Sequence, residues 1–225
     1  MKLPLEHIIN KKSAIVLIVT NVLILAVAIY FNWHAYDTMI AYWFESALIG
    51  LFAIPKMAMA SGETEDDKVR TINGKMVEVK PIKTPIIIFC IVIFFVLWAI
   101  HGALIENYFH PGFSDMDGPL DSFAWVMRTN PEFWLVLALL IGSHIFAFYY
   151  NFINQKEFEK TTFTDELYKP FNTILKIHLI IWGICLVFNS IHDNYGILIL
   201  IITVKTFIDL WLQKSKSQAD KKTIS

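Results

Sequence analysis

Among the ionisable side chains within the long apolar runs of this 225-residue chain are Glu45, His101, His144, His178, Lys205 and Asp209. Imidazole and carboxylate together suit a divalent metal such as zinc, copper, manganese or iron, and Glu45 with His101 offers that donor set. The same groups suit a proton relay, because histidine changes charge near neutral pH. Lys205 and Asp209 are spaced i, i+4, share a helix face and can pair. No H-x-x-x-H or H-E-x-x-H spacing is present, so a metal site would have to be assembled from different segments. Gly142-Ser143-His144 sets a serine beside a histidine, but adjacent residues point to different helix faces, and the G-x-S-x-G elbow is missing. Small Gly142 and Ser143 suit close helix packing instead.

The cost of these residues says what must surround them. A bare charge at the centre of hydrocarbon costs about 2.5–3.5 kcal/mol on insertion scales. Glu45 lies in the run 38–57, TMIAYWFESALIGLFAIPKM. It is tolerable there only if it is protonated, paired or turned toward a polar interior. Glu45 therefore implies a bundle with an inside.

Composition agrees. The chain is 56% hydrophobic, above the roughly 45–50% of soluble domains, and its mean hydropathy is +0.51. The excess gathers in six runs near the ~20 residues a bilayer-crossing helix needs: 13–31, 38–57, 85–105, 131–153, 170–189 and 195–212. They lack period-two alternation, which favours helices over barrel strands. The expected fold is all-α, a polytopic six-transmembrane-helix bundle. Pro85, Pro131 and Pro170 read as span starts, where a missing N–H is harmless. Pro55 reads as a kink or stop. The first run follows Lys11-Lys12 without a cleavage site and reads as a retained span rather than a signal peptide. Cys90 and Cys185 stand in separate apolar runs, so no disulfide framework is expected.

Lysine and arginine set the orientation. They crowd the N-terminus, the loops 58–84 and 154–169 and the tail, whereas the opposite loops hold only Arg128. Both termini are expected in the cytoplasm, in a cytoplasmic membrane. Residues 1–12 form a cytoplasmic N-terminus, 13–213 the membrane domain and 214–225 a disordered cytoplasmic tail. Within 58–84, Asn73-Gly74 suits a two-residue hairpin turn, with a flexible linker as the other reading. The acidic, aromatic loop 106–130 is expected to lie across the outer mouth. Counting along the spans puts Glu45 and His101 in an outer grouping, beside the loop residues His34, Asp37, Glu106, His110, His192 and Asp193. His144 falls near mid-span, and His178, Lys205 and Asp209 form an inner grouping. Trp33, Tyr36, Trp125, Trp134, Tyr149, Tyr150 and Trp211 read as interfacial anchors.

Certain stretches carry a resemblance: Tyr42-Trp43-Phe44-Glu45 with Ile49-Gly50, His101-Gly102, Ile177-His178, and Lys205-Thr206 with Asp209-Leu210. The chain resembles a prokaryotic family of multi-pass membrane proteins catalogued as a domain of unknown function. Tyr42, Trp43, Glu45, Ile49 and Gly50 match its second-span pattern, and Lys205, Thr206, Asp209 and Leu210 its last-span pattern. The resemblance implies membership and brings no activity. That family's third span is richer in histidine than this one, which tells against a multi-histidine metal or haem site.

The reading that follows is binding first: a metal ion, proton or small polar ligand held inside the bundle. A transporter or channel subunit ranks second, and a structural or assembly subunit of a larger membrane complex third. An enzyme ranks last, and no catalytic residue is assigned. The implied partners are the lipid bilayer, with a second copy or a membrane complex as further candidates. Walker, Rossmann and nucleic-acid-binding signatures are absent.

Overall fold

A computed structural model describes residues 12–62, 68–70, 76–78, 83–109, 119–188 and 195–222. The fold is helical. Helix α1 spans Lys12–Tyr30, α2 Ala35–Met59, α3 Lys83–Phe109, α4 Pro119–Thr129 and α5 Phe133–Ala147. A π-helical segment, Phe148–Asn154, prolongs α5. Then come α6 Glu157–Lys160, α7 Phe163–Phe188 and α8 Tyr195–Lys222. Four stretches are long and apolar enough to cross a membrane: Lys12–Tyr30, Ala35–Met59, Lys83–Glu106 and Phe133–Asn154.

Helix α2 is the axis. Of its most apolar window 61% is buried, against 11% in α3. It packs on α3, α4, α5, α7 and α8, while α1 lies on α5 and α8. Neighbours touch in the order α3, α4, α5, α1, α8, α7, and Phe94 against Phe171 at 4.9 Å closes the ring. A stripe of exposed Ile88, Phe89, Val92 and Phe95 on α3 faces away from the bundle.

Local chemistry sets where α2 begins. Asn32 takes a left-handed conformation, φ 57°. The Trp33 N–H donates to Ala28 O at 2.8 Å and Asn32 N–H to Ile29 O at 3.3 Å, the paired bonds that close a helix with an Asn in the left-handed position. The His34 N–H then donates to Asp37 Oδ2 at 2.9 Å, satisfying a free donor at the next helix start. The turn between α1 and α2 is therefore short, and α2 starts at Ala35, ahead of the expected 38.

Other boundaries also differ from expectation. Pro55 does not end α2, which runs on to Met59. Pro170 lies inside α7 rather than at its start. The start is set by a reciprocal cap: Asp165 N–H donates to Thr162 Oγ1 at 3.1 Å and Thr162 N–H to Asp165 Oδ2 at 3.4 Å. Helix α8 continues to Lys222 through residues expected to be disordered, over a Gln-, Lys- and Ala-containing stretch of good helix formers. The loop expected across the outer mouth contains α4, which opens on Pro119 and carries Asp121 early and Arg128 late, as the helix dipole favours.

The hairpin forms as two short antiparallel strands, β1 Lys68–Arg70 and β2 Met76–Glu78. A two-residue turn at Asn73-Gly74 would set Arg70 opposite Val77. Arg70 instead pairs with Met76, one residue away from that register, and Asn73-Gly74 lies outside the described residues.

Candidate functional site

Glu45, His144 and Lys205 lie at one level because their helices begin at the same end of the bundle. Glu45 is the eleventh residue of α2, Lys205 the eleventh of α8 and His144 the twelfth of α5. At about 1.5 Å per residue each sits roughly 15–17 Å in. Lys205 Nζ donates to Glu45 Oε1 at 2.8 Å and lies 2.8 Å from Asp209 Oδ2. The Lys205 side chain is 2% exposed, and each carboxylate side chain 10%. His144 Nε2 approaches Glu45 Oε1 at 3.4 Å, and the Tyr42 ring lies 5.1 Å from Lys205 Nζ. Glu45 and Lys205 thus belong to one cluster. The division into outer and inner groupings placed the start of α2 three residues too late and so set Glu45 too shallow.

The cluster floors a cavity of about 310 Å³. Its walls come from α1, α2, α5, the π-helical segment and α7, and they lead to Lys56, Gln155, Lys160 and Lys169 at the lysine-rich end. Gln155 and Lys160 are exposed, so the cavity opens there. The π-helical segment turns Asn151 into the wall, in keeping with the tendency of such segments to sit at functional sites. At the mouth, Thr161 Oγ1 donates to Glu166 Oε1 at 2.9 Å and Lys169 bonds both.

The sequence reading passed over four residues. Ser13, Thr20 and Asn21 line the cavity from α1, and they are buried on one face of an otherwise apolar helix. Their signal was their spacing: i, i+7 and i+8 is a single helical stripe. Tyr42, noted only as part of a motif, covers Lys205. Among the described residues, the Ser13 hydroxyl, the Asn21 amide nitrogen and the Tyr42 hydroxyl have no hydrogen-bond partner, as is also true of the Thr38 and Thr164 hydroxyls away from the cavity.

Three predicted residues or groups stand apart. His101 lies on α3, half-buried, and no residue of α3 lines the cavity. His178 lies ten residues from the end of α7, with its side chain outside the described residues. His110, His192 and Asp193 also lie outside them. The metal reading of Glu45 with His101 does not fit. The Glu45 carboxylate is engaged by an ammonium and an imidazole, and no group of three or more His, Cys, Asp or Glu that could hold a metal ion is found among the described residues.

The opposite end of the bundle is closed. Trp43 and Trp98 stack at 4.1 Å and 5°, and each indole N–H donates to the other's carbonyl, at 2.9 and 3.1 Å. Phe44 stacks on Phe123 at 5.4 Å and Trp33 on Phe133 at 5.4 Å. Tyr36 donates to Glu106 at 2.8 Å, Ser122 bonds the same carboxylate oxygen, and Trp33 Nε1 donates to Glu132 at 2.7 Å. Trp33 and Tyr36 are buried rather than interfacial, whereas Trp134 and Tyr149 are exposed. Further along α2, past Glu45, Gly50 allows α3 to approach: a Cβ there would lie 2.6 Å from the Phe94 ring.

A helical protein with four apolar helices of membrane-crossing length and a buried charge cluster is the class that this architecture defines. The chain matches the model of a family of unknown function, DUF6498, over residues 6–224, and it belongs to that family. No curated protein and no solved structure matches it. Residues that carried the resemblance meet around one place: Tyr42, Glu45, Lys205 and Asp209 in the cluster, Ile49 in the cavity wall, and Trp43 and Gly50 in the contact with α3.

Proposed function

We propose that this is a six-span integral protein of the cytoplasmic membrane that holds a small polar ligand in a cavity open to the cytoplasm. Helices α7 and α8 supply the fifth and sixth spans, and both termini are cytoplasmic. Lys56, Lys83, Lys156, Lys160 and Lys169 at the open end support that orientation. The observation that carries the reading is the buried Glu45–Lys205–Asp209 cluster with His144 at the floor of the 310 Å³ cavity. A structural ion pair alone does not call for a water-accessible space beside it. Intramembrane charges characteristically face such cavities and mark ligand or ion paths. A transporter is the second reading, favoured by the contrast between an open end and an aromatic-closed end in one bundle.

Cysteine labelling tests the cavity. In a background with Cys90 and Cys185 replaced by serine, Asn151→Cys and Ser143→Cys are expected to react with a membrane-impermeant maleimide in inverted vesicles and to stay unlabelled in intact cells. Leu120→Cys on α4 is expected to do the reverse. Absence of labelling at positions 143 and 151 from either side would remove the cavity reading, and labelling from outside would reverse the orientation.

A further inference from the structure

We propose that the cavity ligand is a small organic cation whose charged nitrogen seats against Glu45 and Asp209. This rests on the reading of the cavity as a ligand site and adds the ligand's chemical class.

The floor has one ammonium for two carboxylates. Lys205 Nζ divides itself between Glu45 Oε1 and Asp209 Oδ2, both at 2.8 Å. Two carboxylates thus share one ammonium, with the His144 imidazole 3.4 Å from Glu45 Oε1. Asp209 Oδ2 has the same ammonium as Glu45 at 2.8 Å and so shares its counter-ion. A buried carboxylate that shares its counter-ion is short of compensation, since an uncompensated charge in the interior costs several kcal/mol. A positive group arriving from the cavity supplies it. An anion would meet like charge at the two carboxylates.

The walls decide between kinds of cation. Between floor and mouth the lining includes Leu17, Ile49, Phe52 and Leu140. Such a surface ligates no bare metal ion, which needs a shell of oxygens. It suits the carbon body of an organic cation, and Phe52, stacked on His144 at 5.9 Å, presents a ring of the kind that attracts alkylammonium groups. Asn21, 2% exposed and with its amide nitrogen unpartnered, stands on the wall. It is placed to donate to a hydroxyl or carbonyl on the ligand. The volume, about 310 Å³, lies at the small end of the range for small-molecule pockets and admits amino alcohols.

The test is thermal unfolding of the purified full-length protein in detergent, at constant ionic strength. The additives are ethanolamine hydrochloride, ethylamine hydrochloride, choline chloride, sodium chloride and sodium acetate. The two amines and choline are expected to raise Tm by a few degrees over sodium chloride, with ethanolamine above ethylamine. Sodium acetate is expected to match sodium chloride. Asp209→Asn should abolish the shift, and Glu159→Gln, on the exposed surface, should keep it. Asn21→Ala, which leaves the charges intact, should bring ethanolamine down to ethylamine. Stabilisation by acetate, equal effects of sodium and the organic cations, or a shift that survives Asp209→Asn would overturn the proposal. If Asn151→Cys labels from the cytoplasmic side while no amine stabilises, the ligand class falls and the cavity stands. If Asn151→Cys stays unlabelled, the cavity falls first.

Discussion

The two ends of the bundle solve the burial of polar groups in opposite ways. At the closed end three carboxylates are met by hydrogen-bond donors: Glu106 by Tyr36 and Ser122, Glu132 by Trp33, and Asp37 by the His34 N–H and Asn130. Stacked aromatics fill the space between them. At the open end, polar atoms of Ser13 and Asn21 go without hydrogen bonds, beside a cavity. Buried polar groups are nearly always satisfied. The closed end follows that rule because its task is rigidity. The open end departs from it, with the exposed groups gathered around one space. The Thr38 hydroxyl at the closed end and the Thr164 hydroxyl on α7, neither of which lines the cavity, are also unpartnered.

The sharpest way to break this comparison is to remove the shared counter-ion. Lys205→Met leaves Glu45 and Asp209 facing one another without compensation, and a loss of about 3–5 kcal/mol is expected, read as a fall in Tm or in folded yield. Lys205→Arg should retain most of the stability. On the side of α2 that faces α3, Gly50→Val pushes against the Phe94 ring, an overpacking cost of about 1–3 kcal/mol, and it should leave cavity labelling unchanged. Trp33→Phe keeps the stack on Phe133 but strips Glu132 of its indole donor. About 1–3 kcal/mol is expected, and Glu132→Gln in the same chain should recover part of it. The smallest effect belongs to the cap: Thr162→Ala removes the α7 N-cap hydroxyl and should cost about 1 kcal/mol, seen as earlier proteolysis near residue 162.

Much of this was legible in the chain because hydrocarbon imposes simple rules. Apolar runs marked the helices, lysines marked one end, and Glu45 announced that partners existed. Which partners it had was not legible, because that depends on helix registration to within a single turn. The Asn32 and Asp37 contacts start α2 at Ala35, and those three residues bring Glu45 level with Lys205. The α7 start was written in Thr162-x-x-Asp165, a capping signature outweighed by the more conspicuous Pro170. The π-helical segment that aims Asn151 has no such local signal, because its extra residue per turn is a product of packing. Ser13, Thr20 and Asn21 looked incidental in an apolar helix until a cavity lay beside them.

The pairing of Glu45 with Lys205 is the claim on which the cluster, its cavity and its ligand depend, and a double-mutant cycle measures it directly. Glu45→Gln, Lys205→Met and the double variant would be compared with the parent protein by equilibrium unfolding in detergent. Contacting charged residues couple by about 0.5–3 kcal/mol, and the 2.8 Å buried contact predicts the upper half of that range. The loss caused by Lys205→Met should therefore shrink markedly once Glu45 is already neutral. Losses that simply add, within about 0.5 kcal/mol, would mean that the two residues do not meet and would contradict the account.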